Sequence, residues 1–180
     1  MAQAAWKAVE KVETYAIAGA TGPELYASIG ERGPLVGDKV RTIAHTNFKL
    51  TWSRNYVPRN GACTLVSARP KLVITYTLPR PGGHLDPATQ KRWDIFLAGM
   101  RAHEQVHGET IKDMVRAIEQ YSVGLTVPDD PDCRKIRQML TGRLSELSQE
   151  QRRRSREFDR VEHGEGGTIQ RLILGLVNGS

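Results

Sequence analysis

A chain of 180 residues, 39% hydrophobic and 26% charged, has the length and balance of one folded domain able to bury a core. No window of about 18 apolar residues occurs, which excludes a hydrophobic membrane-spanning helix. The net charge of +6 gives mild attraction to acidic surfaces; its densest cluster, Arg152, Arg153, Arg154 and Arg156, lacks interleaved aromatics, so a solvated helix face and no nucleic-acid partner are expected.

The opening, Met1 to Lys7, has neither a basic n-region nor an apolar h-region. That leaves a cytosolic protein or one from which a signal peptide has been removed. Residues 11–18 alternate and predict a strand ending at Gly19. Thr21-Gly22-Pro23-Glu24 has the form of a capping box, opening a short helix with Leu25 and Ile29 inward. Gly30, Gly33-Pro34 and Gly37 break it. Residues 40–52 alternate again, with Phe48, Leu50 and Trp52 on one face. A loop containing Pro58 and Asn60-Gly61 is expected next, then an extended stretch over 62–78 with Leu72, Ile74, Tyr76 and Leu78 on one side. Pro70 marks a bend or an edge. The first half therefore reads as an antiparallel sheet of three or four strands.

Pro79, Pro81, Gly82 and Gly83 separate sheet from helix. Asp86-Pro87 is a helix start, with an N-cap carboxylate and proline in the first turn. A long helix is expected from 87 to about 121, stopped at Gly124. A second long helix begins near Asp132, with Cys133, Ile136, Leu140, Leu144 and Leu147 spaced for packing. From Ser148 to Glu157 no apolar residue occurs, so that part is expected to be exposed or to reach past the core; Phe158 and Val161 resume the stripe before Gly164. The tail from Thr168 to Val177 is apolar enough to dock on the body.

The first long helix carries His103-Glu104-Gln105-Val106-His107, followed by Gly108. Residues four apart share a helix face, so both imidazoles can address one cation. Composition alone would produce this pattern on the order of once in a hundred such chains. The apolar stripe runs Trp93, Phe96 and Leu97, Met100, then His103 and His107, then Ile111, Met114 and Val115, Ile118 and Tyr121. The histidines occupy its middle and face the core, where an imidazole needs a partner. Zinc suits neutral imidazole nitrogens. Glu104, about 100° round the helix, is placed as general base toward a water that the metal activates, and then as acid toward the leaving amine.

A catalytic zinc takes three protein ligands and keeps one position open. The spacing H-x-x-G-x-x-H is absent, since Thr110 and Asp113 stand where its later residues would be. If the two long helices form a hairpin about residues 122–131, His107 faces a residue near 147, which points to Glu146 or Glu150. His163 would then lie roughly 20 Å along the axis, and could ligate only if the second helix broke, for instance at Gly142, or crossed steeply. Asp159, four residues before His163, shares its face and can ligate or hydrogen-bond an imidazole. The two cysteines, Cys63 and Cys133, are 70 positions apart and form no C-x-x-C motif. Composition leaves a disulfide and two buried thiols equally open.

A sheet followed by a long H-E-x-x-H helix is the order of the zincin metalloproteases. More narrowly, the chain resembles the bacterial domain-of-unknown-function family 922, described as predicted secreted zinc-dependent proteases. The likeness is carried by Tyr15-Ala16-Ile17-Ala18-Gly19 with Thr21, Gly33-Pro34, Cys63, Leu78-Pro79, Trp93, His103-Glu104-x-x-His107, Cys133, and Asp159-x-x-x-His163-Gly164. Val161 stands where that last motif usually has threonine. The resemblance implies a zincin-like α+β fold over one domain, 1–180, β-rich over 1–80 and helical over 86–180. It implies a Zn2+ cofactor, a peptide or protein substrate, and export to the periplasm or beyond with a Cys63–Cys133 disulfide. It also makes His163 the leading third ligand, with Asp159 as ligand or outer partner. An extended substrate would lie along the strand within 62–78. The rival from another class is a non-catalytic binding protein whose metal is structural or vestigial.

Overall fold

The computed structural model describes residues 5–37 and 39–179. In chain order it contains β1 (Val9–Ile17), α1 (Gly22–Arg32), β2 (Leu35–Val36), β3 (Val40–Arg41), β4 (His45–Arg59), β5 (Ala62–Pro81), α2 (Pro87–Ser122), β6 (Thr126–Val127), α3 (Arg134–His163) and α4 (Thr168–Asn178). This is a mixed α+β chain with its sheet ahead of its long helices. Sheet order is β1-β5-β4, with β6 also pairing β5, and β2 pairs β3 separately.

Local chemistry accounts for the element ends. The Thr21 hydroxyl accepts from the Glu24 amide at 3.4 Å, while the Glu24 carboxylate accepts from the amides of Ala20 and Thr21, so the expected capping box closes. The loop expected around Pro58 is shorter than anticipated. β4 continues to Arg59, and Asn60 and Gly61, at φ 53° and 76°, turn the chain directly into β5. Asn-Gly is the pair that tolerates two successive positive φ values, and such a turn matches the twist of adjoining strands. β5 runs through Pro70 without interruption. It is the inner strand, with β1 and β4 as its outer neighbours, so the stretch expected to hold a substrate already has a strand on each side.

Contacts group the chain into two compact units. One comprises Met1–Val9, Phe48–Val73 and Glu109–Ser155; the other comprises Glu10–Asn47, Ile74–Gly108 and Arg156–Ser180. In the first, Cys63, Leu65, Ala68, Val127, Cys133, Ile136 and Leu140 form a buried cluster, flanked by Trp52, Tyr56 and Tyr121. Cys63 and Cys133 are joined by a disulfide. The buried carboxylate of Asp130 accepts the amides of Arg134, Lys135 and Ile136 at 2.8–3.0 Å and so starts α3. Because the disulfide spans a sequence separation of 70, Cys63→Ser is expected to lower unfolding free energy by about 4 kcal/mol, chiefly by loosening the unfolded chain. Urea melts of the wild type and variant measure this, and coincident midpoints would contradict it.

In the second unit, Ile17 of β1, Leu25 and Ile29 of α1, Trp93, Phe96 and Met100 of α2, and Ile169 and Leu176 of α4 share one core. The apolar tail therefore docks as expected. A Cβ at Gly22 would meet the Leu176 carbonyl oxygen at 1.9 Å, so only glycine lets α1 begin this close to α4.

Candidate metal centre

The stripe on α2 is buried as its period demands. Trp93, Phe96 and Met100 precede the histidines, and Ile111, Val115 and Ile118 follow. His103 is 4% exposed and Glu104 also 4%. Gly108 closes the motif because the phenol of Tyr76 lies across it: a Cβ there would meet the Tyr76 hydroxyl oxygen at 2.0 Å. That hydroxyl donates to Glu10 Oε1 at 2.7 Å.

The last turns of α3 complete the cluster. Asp159 Oδ1 lies 2.9 Å from His103 Nε2 and 2.8 Å from His107 Nε2, and the two nitrogens are 3.2 Å apart. His103, His107 and Asp159 thus form a group whose ligand atoms could hold a metal ion. Donors bound tetrahedrally at about 2.0–2.1 Å would sit about 3.3 Å from one another, so the three atoms need move apart only slightly to admit a cation. The donor chemistry supports the same fit. Without a cation, both Nε2 atoms share the single Oδ1 of Asp159 while standing only 3.2 Å from each other, a crowding that one cation among the three atoms would relieve. Phe158 stacks on the His103 ring at 4.7 Å between centroids, sealing that side with hydrocarbon. The Asp159 side chain is 47% exposed, so the other side reaches solvent.

Charge follows this geometry. Burial raises the Asp159 carboxyl, but hydrogen bonds and charge from His103 and His107 outweigh it and hold the group well below the usual carboxylate range. Burial lowers His107, yet the hydrogen bond and charge of Asp159, with the charge of Glu104, raise it on balance above its ordinary value.

His163 ends α3 at the site's edge, its ring 5.6 Å from that of His103, with Nδ1 2.9 Å from the Asp159 carbonyl oxygen. Its nearness needs no break at Gly142, because α3 is continuous from Arg134 to His163. Glu146 is exposed and pairs with Arg143 at 2.8 Å, and Glu150 is exposed; neither belongs to the group that could hold a metal. A simple hairpin about residues 122–131 requires a plain loop there. Residues 126–127 instead form β6, pairing with Thr64 and Cys63 of β5. Val161 is 51% exposed. His84 is exposed, and His45 is half-buried at the start of β4.

Sequence reasoning missed Thr46. Its hydroxyl lies 2.5 Å from Glu104 Oε2 and 3.1 Å from the Glu104 carbonyl oxygen, so Glu104 is tied by side chain and backbone to the start of β4. Fifty-eight residues separate the pair, and only the strand's placement could have revealed it. No described helix is long and apolar enough to cross a membrane.

A family model described as "Bacterial protein of unknown function (DUF922)" matches residues 12–167. No curated protein and no solved structure matches the chain.

Proposed function

We propose a function for a chain that belongs to the bacterial family of unknown function DUF922: a zinc-dependent peptidase with a zincin-like arrangement. The observation carrying this reading is the convergence of His103, His107 and Asp159 on one point, beside a buried glutamate from the same helix. Two histidines and a carboxylate also suit non-haem iron. The H-E-x-x-H order favours zinc, because it sets a glutamate beside the ligands, where hydrolysis needs a proton acceptor.

In this reading His103 and His107 offer Nε2 to the metal and Asp159 offers Oδ1, with His163 poised at the margin as a further donor. Zinc held there would lower the pKa of a water at its open position and polarise a substrate carbonyl. Glu104 accepts the proton and returns it to the leaving amine, and Thr46 fixes the orientation of that carboxylate. Phe158 keeps water from the closed side of His103. An extended peptide would lie beside β4, one of the two outer strands and the one whose Thr46 touches Glu104, pairing through its main chain. The disulfide suits an oxidising compartment, and supports export to the periplasm or beyond.

The test is zinc content of the purified protein, together with mass-spectrometric digestion of an unbiased peptide library. One zinc per chain and metal-dependent cleavage are expected. Bound iron without zinc would refute the reading. One zinc without cleavage of any peptide would favour the non-catalytic binding protein.

A further inference from the structure

We propose that Glu162 is the positioning residue for His103: its carboxylate accepts the Nδ1 hydrogen of that ring when Nε2 is committed to a metal. The inference rests on the metal-site reading above. A neutral imidazole carries one hydrogen, so an Nε2 lone pair given to a cation places that hydrogen on Nδ1. In a site this closed the resulting N–H needs an acceptor. The Nδ1 atom of His103 is buried and has no hydrogen-bond partner. The nearest carboxylate oxygen on that side is Oε2 of Glu162, at 3.9 Å, on a side chain 19% exposed.

The other neighbours do not supply the acceptor. Phe158 lies over the ring face, with 18° between planes, and offers nothing in the imidazole plane. His163 stands edge-on to the ring, and its own Nδ1 is engaged with the Asp159 carbonyl. Glu162 follows Asp159 by three residues on α3, so one helical turn addresses both nitrogens of His103. Asp159 meets Nε2, and Glu162 stands off Nδ1. A torsional adjustment of a partly exposed glutamate closes about 1 Å, bringing the pair to ordinary hydrogen-bond length. Metal-bound histidines usually have such a carboxylate or carbonyl behind them, and losing it weakens metal affinity about 10–100-fold.

The experiment measures zinc affinity by competition with a chromophoric chelator, for wild type, Glu162→Ala, Glu162→Gln and the exposed control Glu165→Ala. Glu162→Ala should lose about 10–100-fold. Glu162→Gln, which keeps an oxygen acceptor without the charge, should lose less, and the control should match wild type. Metal-free melting temperatures should be alike for all four. In nitrogen-15-edited spectra the zinc-loaded wild type should show a slowly exchanging His103 Nδ1 proton that Glu162→Ala shifts or loses. Wild-type affinity in Glu162→Ala would overturn the proposal. Equal loss in both Glu162 variants, with a lowered metal-free melting temperature, would do so too by marking a merely structural role. A wild type that takes up no metal would overturn the proposal together with the reading beneath it, whereas intact wild-type uptake with an indifferent Glu162 sinks this inference alone.

Discussion

Glu104→Gln is expected to retain the metal and to lower peptide hydrolysis by about 10²–10⁴-fold, the range for removing a positioned proton-transfer group. The variant is nearly isosteric, and the Gln carbonyl can still accept from Thr46, which now meets Glu104 Oε2 at 2.5 Å. The fold around a residue only 4% exposed should therefore survive. What the amide lacks is a lone pair basic enough to take a proton. Thr46→Val should lower the rate by a smaller factor, since it frees the carboxylate without neutralising it. Elemental analysis and the digestion rate measure the two quantities separately. Full activity with full zinc in Glu104→Gln would refute the role given to Glu104, while loss of zinc would mean the residue serves the metal site rather than the chemistry.

How much of this the chain discloses depends on how local the determining interaction is. The α2 stripe repeats its period from Trp93 to Ile118, so both the helix and the inward aim of His103 are legible without any partner. The capping box at Thr21 and the Asn60-Gly61 turn are equally local, although the dipeptide alone does not say that the strands run right up to it. Leu72, Ile74, Tyr76 and Leu78 are all buried as their alternation requires. The third member of the group that could hold a metal, Asp159, is different in kind, because its place depends on where α3 begins. That start is set by the Asp130 carboxylate, by the disulfide at Cys133 and by a two-residue strand at Thr126–Val127. A strand so short leaves no periodic trace, and a hairpin drawn without it points to Glu146 and Glu150, whereas the group that could hold a metal contains Asp159. Asp159 is legible only as a neighbour of His163 on one helix face, behind His163 in the expected order, and Thr46 is not legible at all, since a single hydroxyl 58 residues from its partner has no pattern to read.

Zinc should raise the melting temperature little at pH 5.5 and strongly at pH 8. His107 stands above its ordinary value of 6.5 in the metal-free protein. A raised folded value means that the protonated ring, paired with Asp159, contributes stability below the unfolded value near 6.5, and that this is lost as pH rises through the folded value. Asp159, held well below the ordinary 3.8, contributes stability above that value and loses it as pH falls through its folded one. The metal-free cluster is thus most stabilising between about pH 4 and 6.5. Zinc requires the neutral ring, so it competes with the proton that stabilises the empty site, and its uptake releases that proton. As pH rises through the folded value of His107 the empty site weakens while the loaded one gains. Free zinc at a hundred times its dissociation constant would then add about 2.7 kcal/mol. Asp159→Asn separates the causes: without the carboxylate, His107 returns toward a lower value and the onset of zinc stabilisation moves to lower pH, while affinity at pH 8 drops by more than the 10–100-fold of an outer partner. Calorimetric melts with and without zinc across this range measure both effects. An increment unchanged from pH 5.5 to 8 would mean that His107 gives up no proton to bind the metal, and Asp159→Asn binding as tightly as wild type would remove the carboxylate from the ligand set.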